Sequence, residues 1–191
     1  MAGVEEILGF WFGQPGEAGY GKPRKVWFVR DAAFDQEVRL RFLGDYELAA
    51  AGKLEDLQSA PAGCLALVIL LDQFPRNMFR GQPQAFATDS QALFVAQHAV
   101  AQGFDREMLP VQRWFIYLPF EHSENLEHQR RSVELFRRLS DDSDSAPTID
   151  YAVRHLEIIE RFGRFPHRNQ ILGRETTPEE AEFLKQPGSS F

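Results

Sequence analysis

The chain holds a single cysteine in 191 residues. A lone thiol forms no internal disulfide, so nothing in the covalent structure calls for an oxidising compartment. Cys64 opens the apolar run Cys64 to Leu71, the setting of a buried, inert thiol and not of a nucleophile. No apolar stretch approaches the roughly eighteen residues that a membrane helix needs. The first residues, Met1 to Glu6, are acidic and lack the basic region of a signal peptide, so the cytoplasm is the expected location. Glycine-rich phosphate loops and serine nucleophile elbows are missing. No useful length of chain alternates polar and apolar residues with period two, so strands are not expected. The formal net charge of −7 leaves no overall attraction for nucleic acid.

What is present is phenylalanine and arginine. Seventeen Phe supply large side chains without polar atoms, suited to filling the gaps between packed helices. Arg accounts for seventeen of the twenty-one basic residues, and its planar fork matches carboxylates and phosphates bidentately. At this length one domain is expected, residues 1–191, with the tail from Pro187 to Phe191 frayed.

Helical spacing recurs along the chain. Val4, Ile7, Leu8 and Trp11 share one face of a first helix. Asp31 is placed to cap a helix over Ala32 to Ala50. Pro61 opens an apolar central helix that Pro75 is expected to end, because proline lacks the N–H donor and restricts its predecessor. Helices follow over Phe86 to Gln102, over Asp105 to Tyr117 and, beyond Pro119, over Phe120 to Leu139. Asp141 to Ser145 reads as an acidic, solvated connector, and Thr148 as the cap of the next helix. Thr177-Pro178-Glu179-Glu180 is a capping box that opens a short last helix. The class is therefore all-α, with about eight helices as stacked antiparallel hairpins in an orthogonal or superhelical array.

Three polar clusters carry the chemistry. The first, at the end of the central helix, is Asp72, Gln73, Arg76, Asn77 and Arg80. The second is Glu121-His122-Ser123-Glu124, expected at a helix start, where a carboxylate beside a histidine is raw material for acid–base work. Glu124 and His128 stand at i, i+4, but no third ligand accompanies them, and no metal or other cofactor is expected. The third cluster centres on Arg164, His167, Arg168 and Asn169, in a run with five Arg between Arg154 and Arg174. Arginine forks with an Asn amide could hold an anion, or could equally neutralise acidic helix faces. The first and third clusters also echo each other: both read Phe-Pro, base, Asn, then Gly after three further residues, the latter carrying one extra residue before its Asn.

Leu71 to Asn77 with Phe79-Arg80, Pro119 to Glu124, and Phe162 to Asn169 with Leu172-Gly173-Arg174 resemble the bacterial family called domain of unknown function 924. Phe10-Trp11-Phe12 and Thr177-Pro178-Glu179-Glu180 are similar to it as well. The resemblance implies an all-α, tetratricopeptide-like helical array and no particular activity. Two functions stay open. One is a binding module in which Arg76, Asn77, Arg80, Arg164, His167, Arg168 and Asn169 grip an anionic or peptide ligand. The other is an enzyme on a small anionic metabolite, with Glu121, His122 and Glu124 as acid–base groups. Neither reading fixes an oligomeric state.

Overall fold

A computed structural model describes residues 2–189. Met1, with the tail residues Ser190 and Phe191, lies outside them. The all-α class is borne out: no strand occurs among the described residues, which form nine α-helical segments. These are α1 (Val4–Phe12), α2 (Ala32–Ala50), α3 (Pro61–Val68), α4 (Phe74–Met78), α5 (Asp89–Gln102), α6 (Pro110–His122), α7 (Leu126–Arg137), α8 (Ala146–Phe162) and α9 (Pro178–Phe183). No helix among them is long and apolar enough to cross a membrane.

Several ends follow their sequence signals. Asp31 caps α2 by accepting from the backbone N–H of Ala33 and Phe34. Gly103 closes α5 in the left-handed region, at φ 76°. Thr177 and Glu180 complete their capping box at α9. In the tail, Ser189 is buried and its hydroxyl donates to the Leu184 carbonyl.

Two prolines behave otherwise than expected. Pro75 does not end the central helix. Residues Ile69–Gln73 form a π-helical turn, with Phe74 N–H reaching back to the Ile69 carbonyl, and the rod continues through α4. The wider turn accommodates the ring, and the Leu71 carbonyl, four residues before Pro75, accepts from the Thr88 hydroxyl instead. α3, the π turn and α4 thus make one rod. Pro119 likewise lies inside α6, which runs on to His122. The chain breaks at Ser123–Asn125, where the Asn125 side chain caps α7. The Glu121–Glu124 motif therefore stands at a helix C-terminus, not at a start.

The central rod packs against α1, α2, α5 and α6, and α5 to α8 pack successively on one another. Trp11 meets Phe74 and Phe115 edge-on at 5.6 and 5.5 Å, and Phe42 lies 4.8 Å from Phe74. Gly63 lets α3 approach the turn Glu55–Ser59, since a Cβ there would meet the Leu57 carbonyl oxygen at 2.0 Å. The acidic connector is anchored: Ser145 is buried, accepts from Trp114 Nε1 at 2.7 Å and donates to Asp142. Phe94 on α5 is 65% exposed, and the buried face of that helix carries Ala92, Val95, Ala96 and Ala99.

Candidate functional site

The π turn delivers Asp72 into the interior, where none of it is exposed. Its Oδ1 accepts from His122 Nδ1 at 2.7 Å and lies 3.3 Å from Arg76 Nη1. Its Oδ2 accepts from the Gln73 amide. Arg76 also donates to both oxygens of Asp89, at 2.7 and 3.0 Å. Arg168 Nη1 donates to the His122 carbonyl at 3.0 Å and stands 3.6 Å from Asp89. Arg76, His122 and Arg168, drawn from three distant parts of the chain, are thereby brought into one network around Asp72 and Asp89.

Burial pushes the Asp72 carboxyl up, but Arg76 and His122 outweigh burial and hold it below the usual carboxylate range. Burial and Arg76 lower His122 against the pull of Asp72. The pair is therefore an ionised carboxylate and a neutral imidazole whose Nδ1–H is donated, an arrangement that leaves Nε2 as the acceptor. Arg168 is 7% exposed, and its guanidinium lies over the rings of Phe86 and Phe165 at 4.8 and 4.6 Å. Burial, then the Arg76 charge, pushes Arg168 down to about 10, and its Nε is buried without a hydrogen-bond partner.

This network borders a pocket of about 400 Å³. One wall comes from the Pro83–Phe86 turn and α5, with Phe86, Asp89, Ser90 and Leu93. The other comes from the end of α6, with Pro119, His122, Ser123 and Glu124, and from Arg168 and Leu172. Glu124 accepts from Phe165 N–H and, on both oxygens, from Arg174. Those bonds outweigh burial and lower its carboxyl. The Ser123 hydroxyl is 2.9 Å from His128 Nδ1, whose Nε2 is 3.3 Å from the Gln97 amide.

Glu121 faces away from this pocket. Neighbours on a helix stand about 100° apart, and Glu121 is buried against His155, 3.2 Å from its Nδ1. Burial, then Asp72, pushes the Glu121 carboxyl up to about 8, and its Oε2 has no hydrogen-bond partner. Burial pushes His155 down to about 3.

Four of the remaining sequence candidates, Asn77, Arg80, Arg164 and Asn169, lie in carboxylate clamps. Asn77 donates to Asp35, which Arg80 grips through two nitrogens. Asn169 donates to Glu180, which Arg164 grips the same way. The Asn of each echo thus donates to a carboxylate in the first turn of another helix, while the arginines that grip those carboxylates stand at non-equivalent positions of the two stretches. His167 lies 5.7 Å from the Phe165 ring, and burial and Arg168 push it down to about 4. Among the described residues no group of three or more His, Cys, Asp and Glu could hold a metal ion.

Sequence reasoning missed Asp89 and Phe86 as members of the site, and it named Arg174 as the end of an arginine run, not as part of the site. Asp89 has the look of an ordinary first-turn acid, and nothing local signals that Arg76 will reach it.

The fold is similar to the solved structure of a protein of unknown function from Agrobacterium tumefaciens, with a TM-score of 0.85 and 40% identity over 95% of this chain and 96% of that one. No curated protein matches the chain. Residues 7–188, which hold the buried network and both clamps, match the bacterial proteins of unknown function DUF924, and the chain belongs to that family.

Proposed function

We propose that the pocket between α5, the end of α6 and the Arg168–Leu172 segment binds a small anionic ligand. The observation that carries this is the inequality among its charged walls. Asp89 and Glu124 each have both oxygens matched by one arginine. Arg168 has an unpartnered Nε and no carboxylate within 3.5 Å, its nearest being Asp89 at 3.6 Å. A buried cation with so little compensation gains most from an incoming anion. The volume of about 400 Å³ suits a metabolite-sized molecule. Thermal melts with added acetate or phosphate test the reading against sodium chloride at equal ionic strength. An anion-specific, concentration-dependent rise in Tm supports it, and a rise that chloride reproduces is screening alone.

The Asp72–His122 bond favours a second reading on the same site, an enzyme acting by general acid–base chemistry. His122 would accept the proton, and Asp72 would fix its tautomer. Carbethoxylation of His122 by diethyl pyrocarbonate reports the reactivity of its free nitrogen. Fast modification in the wild type and slow modification in Asp72→Asn is the expected pattern.

A further inference from the structure

The pocket has two chemically distinct sides, and their contrast says what kind of anion it takes. Its charged side offers one under-compensated cation, Arg168, beside the neutral imidazole of His122. Its other side is hydrocarbon: Phe86, Leu93, Pro119 and Leu172 have no side-chain polar atom. Leu172 is 38% exposed at this border, one of the few large apolar side chains left open on the described surface. An apolar wall facing water gains from being covered, and a purely polar ion cannot cover it.

The number of charges is constrained as well. A second negative group would meet Asp89 and Glu124, whose arginines are already engaged on both oxygens. No further guanidinium lines the pocket to receive it. No glycine lines the pocket, so the glycine-rich loop that cradles polyphosphates is missing from it.

We infer that the ligand is an amphipathic monoanion: one carboxylate held at Arg168 with a branched aliphatic or aromatic body lying on Phe86, Leu93 and Leu172. This rests on the proposed anion site and adds the class of molecule that enters it. Nucleotides, inorganic phosphate and dicarboxylates are weak competitors on this account.

A probe series tests it. Acetate, butyrate, hexanoate and phenylacetate are titrated into the full chain at constant ionic strength, with amide chemical shifts as the readout. Phenethylamine, phenylacetamide and succinate are the controls. Affinity should climb from acetate to hexanoate by up to about fourfold per methylene. Phenylacetate should bind at least tenfold tighter than phenethylamine or phenylacetamide, and succinate more weakly than butyrate. Leu172→Ser, a change at an already open position, should flatten the chain-length dependence while acetate still binds. Arg168→Gln should weaken every anion, and Arg168→Lys should restore part of the binding. Acetate and hexanoate of equal affinity would overturn the amphipathic claim and leave the anion site standing. Succinate tighter than butyrate would overturn the single-charge claim. No binding by any carboxylate, or phenethylamine equal to phenylacetate, would overturn the anion site itself.

Discussion

His122 donates its Nδ1–H to Asp72 Oδ1 over 2.7 Å, joining residues fifty positions apart through a carboxylate that is wholly buried. The bond exists because a π turn rotates Asp72 inward and because α6 runs through Pro119 as far as His122. It ties the central rod to the pocket wall. Arg76 keeps the buried charge compensated and passes the connection to Asp89 and, beyond it, Arg168.

Asp72→Asn removes the charge at nearly constant shape. His122 and Arg76 then lose an ionised acceptor inside the protein, and loss of one partner of a buried pair costs about 3 kcal/mol. Urea melts should show that loss. The His122 ring should titrate lower than in the wild type, because Asp72 raises it more than Asp89 does. An unchanged midpoint in both measurements would mean that the bond is not present in solution.

Glu121 gives stability a pH dependence of known sign. Its folded carboxyl is raised to about 8 from an ordinary 4.5, so the folded state keeps a proton that the unfolded chain releases. The associated stability is full below the unfolded value and drains away as pH rises toward the folded one. Glu121→Gln cannot titrate. Its stability relative to wild type should therefore improve by up to about 3 kcal/mol between pH 5 and pH 8. A difference that stays flat across that range would place an ionised Glu121 in the folded protein.

Gly63→Ala should destabilise the protein by about 3 kcal/mol, at the upper end of overpacking costs. The new Cβ would fall 2.0 Å from the Leu57 carbonyl oxygen, a backbone atom that cannot swing aside. A chemical melt equal to wild type would mean that the Glu55–Ser59 turn does not lie against α3.

Arg80 and Arg164 should be dispensable for the ligand. Each is committed to one carboxylate through two nitrogens. Arg80→Ala and Arg164→Ala should leave acetate affinity within about twofold, a ΔΔG under the surface-mutation scatter of about 0.5 kcal/mol. Arg168→Gln should reduce it at least tenfold. If Arg164→Ala matches Arg168→Gln, the clamp at Glu180 is part of the binding site.

Much of the fold was legible because the signals are local. Asp31, Gly103 and the Thr177 box act within one turn of themselves, and all three stand where their chemistry puts them. Pro75 and Pro119 misled because the loss of one N–H can be absorbed by a widened turn or an uninterrupted rod, which depends on the surroundings. The site was legible in its members and not in its pairings. A carboxylate beside a histidine drew attention to Glu121-His122, yet the two take different partners, His155 and Asp72. Arginine abundance pointed to anion recognition, but Arg80, Arg164 and Arg174 answer carboxylates of the protein's own. Only long-range geometry separates them from Arg168.

The central claim is that Arg168 receives an anion in the pocket beside His122. The most direct measurement is the Nε–H resonance of Arg168 in a nitrogen–proton correlation spectrum, followed while phenylacetate is added at fixed ionic strength. Arg168 Nε has no hydrogen-bond partner within the protein. Its signal should move saturably, together with those of His122 and Leu172, while the Arg164 and Arg80 Nε–H signals hold still. A stationary Arg168 signal, with shifts confined to the Arg164 or Arg80 clamps or scattered over the surface, would contradict the account.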